Sequence, residues 1–304
     1  MSETYVSTAV FMDTPVSIEV VNPASGDECA ERVNHAFDWF GRVEQCCSRF
    51  EEQSELRGLS ARIGVPVRVS SLLYSVIEFA LAVARASNGA FDPTIGHSME
   101  KSGFDRNYRT EQRTASRIDS PAQCSYRDVI LDPKNSTVAL LRPMVLDLGA
   151  VAKGFATDLA AAEISCFKDY SIDAGGDVLV RGRNSEGAPW RIGIAHPRCP
   201  DELLCTLHVS DAAVCTSGDY ERPRPDGNVG HHIIEPGTGL SPSEVASVTA
   251  VAPTAMLADA LSTAAFVLGP TRGVNLLECY GVEGLIVSPT MKQYATQGFS
   301  RYRN

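Results

Sequence analysis

The chain has 304 residues, of which 44% are hydrophobic, and its formal net charge is −10. This length and hydrophobic content suffice for one large domain, or two closely packed ones, and they exclude a disordered chain. The excess of acidic side chains disfavours nucleic acids and anionic membrane surfaces as partners. We therefore expect no nucleic-acid binding and no membrane insertion.

The location of the protein is predicted from its first residues and from its cysteines. The opening segment MSETYVSTAVFMDT has no basic region, no long apolar run and no early cysteine, so it does not resemble an export or lipoprotein signal. No later run approaches the roughly 20 apolar residues that a membrane-spanning helix needs. The nine cysteines are scattered without CxxC pairs, which favours reduced thiols over disulfides or metal ligands. These features predict a cytoplasmic protein.

The first half of the chain is predicted to mix short strands with amphipathic helices. Alternation of apolar and polar residues indicates strands, and apolar residues at three- and four-residue steps indicate helices. In chain order the predicted elements are strands at 5–11 and 15–21, a helix from Asp27 to Cys47, a short helix capped by Ser54, a helix at about 71–86, and two strands within 127–141.

The second half continues this mixture. The predicted elements are a helix that follows a turn at Gly149, strands within SIDAGGDVLVRG and PWRIGIAHP, strands near 203–209, 212–215 and 246–252, helices near 254–267 and 271–280, and a strand near 283–288. Residues 105–125 are polar and poorly patterned, which predicts a flexible insertion within a single domain spanning 1–304. Because strands and helices do not alternate strictly, we predict an α+β fold with largely antiparallel sheets packed with helices.

Glycines mark two further segments, and neither fits a common nucleotide motif. GAVAKGFATD lacks the GxGxxG spacing, and Lys153 precedes Gly154, whereas a P-loop places glycine before lysine. The pair Gly175–Gly176 indicates backbone that passes close to a ligand or to another strand. The sequence also contains no GxSxG or HExxH motif and no zinc-type spacing of His and Cys.

Asp259 and Thr263 are four residues apart in a predicted helix and so share one face of it. A carboxylate among Ala, Met and Leu side chains is costly unless it is paired or binds a cation. Two alternatives remain: Thr263 bonds back to a carbonyl of its own helix, and Asp259 caps the helix or faces water.

Eight motifs in order, from residue 12 to about 287, resemble those of the ApbE family of FAD:protein FMN transferases. They are MDTPVSIEV, SRFEEQSEL, GAFDPTIG, LDLGAVAKGFATD, DAGGD, TSGDYER, HIIEPGTG and ADALSTA. Two positions depart from the family pattern, because Asp13 replaces a glycine and Glu235 replaces an aspartate; the segment GHSM after "TI" also differs.

The resemblance implies an ApbE-like fold of two intimately joined subdomains and a Mg²⁺-dependent reaction. FMN would pass from FAD to a threonine or serine hydroxyl of an acceptor protein that carries a flavinylation motif, with release of AMP. Two alternatives remain open. One is a Mg²⁺-dependent FAD pyrophosphatase that gives FMN and AMP, and the other is a non-catalytic flavin-binding protein.

The resemblance also implies roles for individual residues. It assigns Mg²⁺ to Asp259, Thr263 and the carbonyl of Ala150, all of them oxygen donors as Mg²⁺ prefers, and it assigns the general base to His232. The residues that it implies for FAD are Met12, Phe50, Ala90, Phe91, Asp92, Asp147, Lys153 and Ile234. Simpler alternatives are a surface ion pair between Asp147 and Lys153, and a plain core position for Met12 and Phe50.

Overall fold

The computed structural model describes residues 3–106, 113, 116, 124–225 and 227–303. Its α-helices are α1 (Gly26–Cys47), α2 (Glu55–Ser60), α3 (Ser71–Ala86), α4 (Gly96–Lys101), α5 (Gly149–Glu163) and α6 (Ala255–Cys279). Its strands are β1 (Thr4–Phe11), β2 (Thr14–Val21), β3 (Val67–Arg68), β4 (Val129–Asp132), β5 (Thr137–Leu140), β6 (Tyr170–Ala174), β7 (Asp177–Arg181), β8 (Trp190–His196), β9 (Cys199–Val209), β10 (Ala212–Gly218), β11 (Ser247–Ala252), β12 (Glu283–Val287) and β13 (Gln293–Ala295).

The strands form one large sheet and two small ones. The large sheet has the order β1-β2-β6-β7-β10-β11-β12-β13, while β3-β5-β4 form a three-stranded sheet and β8-β9 a two-stranded ribbon. Every pairing between these strands is antiparallel. The predicted α+β fold with largely antiparallel sheets is therefore confirmed.

Both faces of the central strands of the large sheet are buried, and the alternation along these strands decides which residue faces which layer. In β7, Leu179 belongs to the main core with the helices, whereas the next residue, Val180, packs against the ribbon. In β10, Cys215 likewise belongs to the main core, and Val214 packs against the ribbon. The molecule thus has three layers, with helices on one face of the sheet and the β8-β9 ribbon on the other.

Serines begin the first three helices, as their side chains accept hydrogen bonds from the free N–H groups of the first turn. Ser25 accepts from Glu28, Ser54 from Arg57 and Ser70 from Leu73. This is the ordinary N-cap arrangement, and it confirms the predicted cap at Ser54. The α3 helix ends before Asn88, which has a positive φ of 51°.

Two tight turns lie side by side at one end of the large sheet. Met12 and Asp13, between β1 and β2, have φ values of 49° and 60°, which a two-residue hairpin of this type requires. Gly175 and Gly176 form the β6-β7 turn, and a Cβ on Gly175 would lie 2.0 Å from the Thr14 hydroxyl. The glycine pair therefore passes close to another strand, as predicted, and Asp13 takes a left-handed conformation that aspartate tolerates better than most residues.

The helices predicted near 254–267 and 271–280 are confirmed as the two halves of α6, which are separated by a non-helical residue, Gly269 (φ 77°, ψ 174°), just before Pro270. Other predictions differ from the structure in detail. The short elements α4, β3 and β13 were not predicted. The predicted insertion at 105–125 lies mostly outside the described residues. Within the part of the chain that is described, no helix is long and apolar enough to cross a bilayer.

Candidate functional site

A cavity of about 580 Å³ opens beside the two stacked turns. Its wall combines those turns with the end of α1, the loop before α4, the first turns of α5, strand β8, the end of β10 and α6. All the site residues predicted from the sequence lie in this wall: Met12, Phe50, Ala90, Phe91, Asp92, Asp147, Ala150, Lys153, His232, Ile234, Asp259 and Thr263. The structure brings these residues together, and their individual roles stay predictions.

Asp259 is only 8% exposed, so the alternative in which it faces water is wrong. Its Oδ2 atom is buried and has no hydrogen-bond partner among the described residues. Burial raises the pKa of Asp259 to about 8, helped by the charge of Asp177 and opposed by Lys153 and a hydrogen bond from the Gly154 backbone. A buried carboxylate oxygen with no donor is costly, and a bound cation would relieve this cost.

Lys153 forms an ion pair with Asp177 of β7, not with Asp147. The predicted alternative of a surface pair between Asp147 and Lys153 is therefore wrong. The second oxygen of Asp177 accepts the backbone N–H of Thr216 at 3.1 Å, which fixes the carboxylate on the sheet. Burial by itself lowers the pKa of Lys153, but the charges of Asp177 and Asp259 outweigh burial and leave it above its ordinary value. The ammonium group therefore stays charged inside the cavity.

The hydroxyl of Thr263 lies 3.1 Å from that of Ser217 at the end of β10, so Thr263 faces the sheet. The residue that bonds back within the helix is Ser262, which donates to the Asp259 carbonyl at 2.8 Å. No three His, Cys, Asp or Glu side chains converge on a metal position within the described ranges. A cation here would take hydroxyl and backbone oxygens with few carboxylates, and Mg²⁺, which keeps several waters, suits such a set.

Arg49 and Asp147 form a largely buried clamp in the cavity wall. Arg49 Nε lies 2.6 Å from Asp147 Oδ2, and its Nη2 donates to the Phe104 carbonyl at 2.5 Å. The guanidinium also lies 4.1 Å from the ring centroid of Phe50, which is half-buried. The other oxygen of Asp147 accepts the Gly149 N–H at 2.9 Å. Both oxygens of Asp147 thus fix the loop that begins α5.

The loop GAFDPT gives the cavity an apolar wall. Asp92 Oδ1 accepts from the backbone and the hydroxyl of Thr94 at 2.9 and 2.8 Å. Its Oδ2 accepts the Tyr126 N–H at 2.9 Å. Because these bonds use both oxygens, we expect Asp92 to shape the loop, while Ala90 and Phe91 offer apolar surface to a ligand.

Two neighbouring histidines have opposite surroundings. His231 is buried, with Nε2 3.0 Å from the Pro242 carbonyl and Nδ1 accepting the Ile233 N–H at 3.3 Å. His232 lies in the cavity wall, and its Nδ1 is buried without a hydrogen-bond partner in the described structure. Burial lowers the pKa of His232 to about 3, and the charges of Arg222 and His231 add to this, whereas Asp147 opposes it. His232 is therefore neutral at pH 7.

Glu235, the second departure from the family pattern, lies outside the cavity wall. Its Oε2 accepts the Thr238 hydroxyl at 2.9 Å, and its backbone carbonyl accepts the Gly239 N–H at 2.8 Å. The longer side chain therefore stabilises the turn after His232 and does not enter the cavity.

Sequence reasoning missed three side chains of the site: Arg49, Asp177 and Ser217. Each lies within a quoted motif, SRFEEQSEL, DAGGD and TSGDYER respectively. Their position within these motifs is the sequence feature that could have identified them. Their roles depend on partners 24 to 98 residues away in the chain, which no local pattern reveals.

Comparisons with known proteins show what the chain is similar to. The sequence model of the ApbE family matches residues 12–286 of this chain. An FAD:protein FMN transferase of Treponema pallidum is 32% identical over 317 residues, covering 97% of this chain and 87% of the relative. One of Haemophilus influenzae is 28% identical, with 84% and 78% covered.

Solved structures show the same fold. The crystal structure of the ApbE protein from Thermotoga maritima superposes with a TM-score of 0.86 at 30% identity, covering 99% of this chain and 100% of that one. The flavin transferase ApbE from Vibrio cholerae gives a TM-score of 0.84 at 25% identity, with 99% and 100% covered.

Proposed function

This chain belongs to the ApbE family, and on that premise we propose that it transfers FMN from FAD to a threonine or serine hydroxyl of an acceptor protein and releases AMP. The chain is an enzyme that transfers flavin from FAD. One observation supports the proposed transfer to a hydroxyl with release of AMP. Among the described residues, the wall of one cavity holds both a neutral histidine, His232, and a buried oxygen of Asp259 that accepts no hydrogen bond. Proton acceptance and cation binding are thereby available in the same space.

His232 would accept the proton of the acceptor hydroxyl; its pKa of about 3 in the ligand-free protein is low for a base, and the negative charge of bound FAD would raise it. Its Nδ1 is enclosed, so we expect Nε2 to be the ring nitrogen open to the cavity and to take the proton. As the hydroxyl oxygen bonds to the phosphorus on the FMN side, the bond to the AMP oxygen breaks and AMP leaves with the bonding electrons. The carboxylate of Asp147, whose charge raises the pKa of His232, would stabilise the imidazolium that forms.

Another group of residues in the cavity wall would bind the diphosphate of FAD. Lys153 keeps its charge beside Asp177 and supplies a fixed positive group. Asp259, Thr263 and the Ala150 carbonyl are the residues that would hold Mg²⁺. When bound, the cation supplies positive charge that stabilises the charge developing on the leaving AMP. Such transfers depend on positioning and charge neutralisation more than on covalent catalysis.

The test incubates the full chain with FAD, Mg²⁺ and a threonine-containing acceptor peptide. We expect the peptide to gain the mass of one FMN group and AMP to appear in equal amount. AMP and free FMN without a labelled peptide would instead indicate an FAD pyrophosphatase. If no AMP is released, with or without the peptide, the protein is a non-catalytic flavin-binding protein.

Two substitutions link the activity to the site. Asp259→Ala should abolish AMP release in a protein that remains folded, and His232→Ala should slow transfer while largely preserving FAD binding. A matched control is His35→Ala, because His35 is an exposed histidine on α1 outside the cavity wall. Unchanged turnover in the Asp259 variant would contradict the proposed cation site.

A further inference from the structure

Helices α5 and α6 meet where α6 begins, and Asp158 of α5 makes the contact. Asp158 Oδ1 accepts the N–H of Ala255 at 2.8 Å, and Oδ2 accepts the N–H of Met256 at 3.0 Å. These N–H groups belong to the first turn of α6, where no partner exists within the helix itself. A negative charge at a helix N-terminus is also favourable. One carboxylate from α5 thus fixes the start of α6.

Gly154, one helical turn before Asp158, lets the two helices approach closely. A Cβ at this position would lie 2.6 Å from the Met256 Cα atom and 2.7 Å from the Ala255 carbonyl. Any other residue would push the helices apart. The contact between α5 and α6 is therefore both hydrogen-bonded and sterically tight over the same two residues of α6.

The contact lies next to the candidate cation site. Asp259 follows Ala255 by four residues, or about 6 Å along the helix axis. Thr263 lies on α6 as well, whereas Ala150, whose carbonyl is the third proposed ligand, and the neighbouring Lys153 are carried by α5. The distance between the carboxylate on α6 and the groups on α5 thus depends on how α6 is placed against α5, and Asp158 and Gly154 make the contacts at the start of α6.

We propose that Asp158 is a positioning residue for the cation site, which holds the first turn of α6 so that Asp259 faces the Ala150 carbonyl and Lys153. This inference rests on the proposed function, because it takes Asp259 as a cation ligand. Asp158 does not touch the cavity; it acts through the placement of α6.

A matched control separates this role from ordinary helix capping. Thr254 caps the same end of α6, and its hydroxyl accepts the Leu257 N–H at 3.4 Å. The Thr254 side chain is exposed, and this bond joins residues of one element only. Thr254→Ala therefore weakens the same helix end without releasing α6 from α5.

The experiment compares wild type, Asp158→Asn and Thr254→Ala as full chains without FAD. Thermal unfolding is followed while MgCl₂ is titrated, and the apparent Mg²⁺ affinity is read from the rise in Tm. Both variants should unfold at lower temperature than wild type without Mg²⁺. Only Asp158→Asn should need about 10- to 100-fold more Mg²⁺ for half of the stabilisation, the usual range for residues that orient metal ligands.

Activity gives a second measurement. With FAD and acceptor peptide, Asp158→Asn should show the same rise in the Mg²⁺ concentration for half-maximal rate, with kcat recovering towards wild type at saturating Mg²⁺. Gly154→Ala, which separates the helices while leaving Asp158 intact, should shift the Mg²⁺ requirement in the same direction. Asp158→Glu, which keeps the charge, replaces the Asn variant if that variant does not fold.

Two results would overturn the proposal, and they differ from each other. If Asp158→Asn has the Mg²⁺ requirement of Thr254→Ala, Asp158 is only a cap, and the proposed function stands. If wild type neither gains stability from Mg²⁺ nor releases AMP from FAD, the proposed function fails, and this inference fails with it.

Discussion

His231 and His232 are adjacent in the chain, yet His231 is held by hydrogen bonds at both ring nitrogens, and Nδ1 of His232 has no partner in the described structure. The ring of His231 also packs edge-on against Phe266, with centroids 5.3 Å apart. The Ser241 hydroxyl closes the arrangement, since it accepts the N–H of His231 and donates to its carbonyl at 2.9 and 2.7 Å. One histidine therefore builds the turn, and the other is presented to the cavity.

Substitution of each histidine should affect a different quantity. His232→Asn should lower the rate of AMP release about 10²- to 10⁴-fold, the usual contribution of a general base, with little loss of stability. His231→Asn should lower the free energy of unfolding by about 1 to 3 kcal/mol, because buried hydrogen-bonding groups lose their partner. Single-turnover kinetics and urea unfolding measure the two effects. An equal loss of rate in both variants would contradict the separation.

Asp259 should destabilise the metal-free protein increasingly as pH rises. Its pKa is about 8 in the folded protein, against the ordinary value of 3.8. Between these values the unfolded chain loses a proton that the folded chain keeps, so rising pH favours unfolding. In EDTA, Asp259→Asn should therefore have a higher Tm than wild type at pH 8, and the difference should vanish near pH 4. A difference independent of pH would refute this origin.

Mg²⁺ and protons should compete for Asp259. A protonated carboxylate is a poor ligand, and metal binding releases the proton. Below the pKa of about 8, each unit by which the pH falls should raise the Mg²⁺ concentration for half-maximal activity by up to about tenfold. Steady-state assays with Mg²⁺ titrated at pH 6, 7 and 8 measure this dependence. A Mg²⁺ requirement that is constant over this range would show that no ionisable ligand is involved.

The clamp between Arg49 and Asp147 should contribute to stability more than a surface ion pair does. The Arg49 side chain is only 7% exposed, and it also donates to the Phe104 carbonyl. Arg49→Ala should cost about 2 to 3 kcal/mol of unfolding free energy, because it leaves a partly buried carboxylate without its partner. Arg113→Ala is the control, since Arg113 pairs with Asp105 but is 70% exposed. Urea unfolding should show a clear loss only for Arg49, and equal losses would be inconsistent with a buried clamp.

The sequence predicted most of the elements because their patterns are local. The long helix from Asp27 to Cys47, the helix at 71–86 and the hairpin at 127–141 depend on residue spacing, caps and turn residues, all of which are visible in one segment. The two halves of α6 were likewise predicted as separate helices, and the structure separates them at Gly269. The six-residue helix α4 and the two-residue strand β3 are too short to produce a periodic signal.

The site was predicted in composition but not in pairing. The motifs supplied the residues of the cavity wall. The simplest expectation was that Asp147 and Lys153, two charges on the same turn, pair with each other. Lys153 instead pairs with Asp177, and Asp147 pairs with Arg49. These partners come from β7 and from the segment just after α1, and only the packing of the fold brings them together. The close approach of α5 and α6 at Gly154 is equally invisible before the helices are docked.

The wall of the cavity draws on residues from Met12 near one end of the chain to Val267 on α6, and β2 is joined to β6 across about 150 residues. During synthesis, therefore, no partial chain contains the pocket until α6 has emerged and has docked against the sheet. Pairings so distant in sequence form slowly. We therefore expect flavin to be captured only after α6 has docked, so that bound nucleotide marks an assembled pocket.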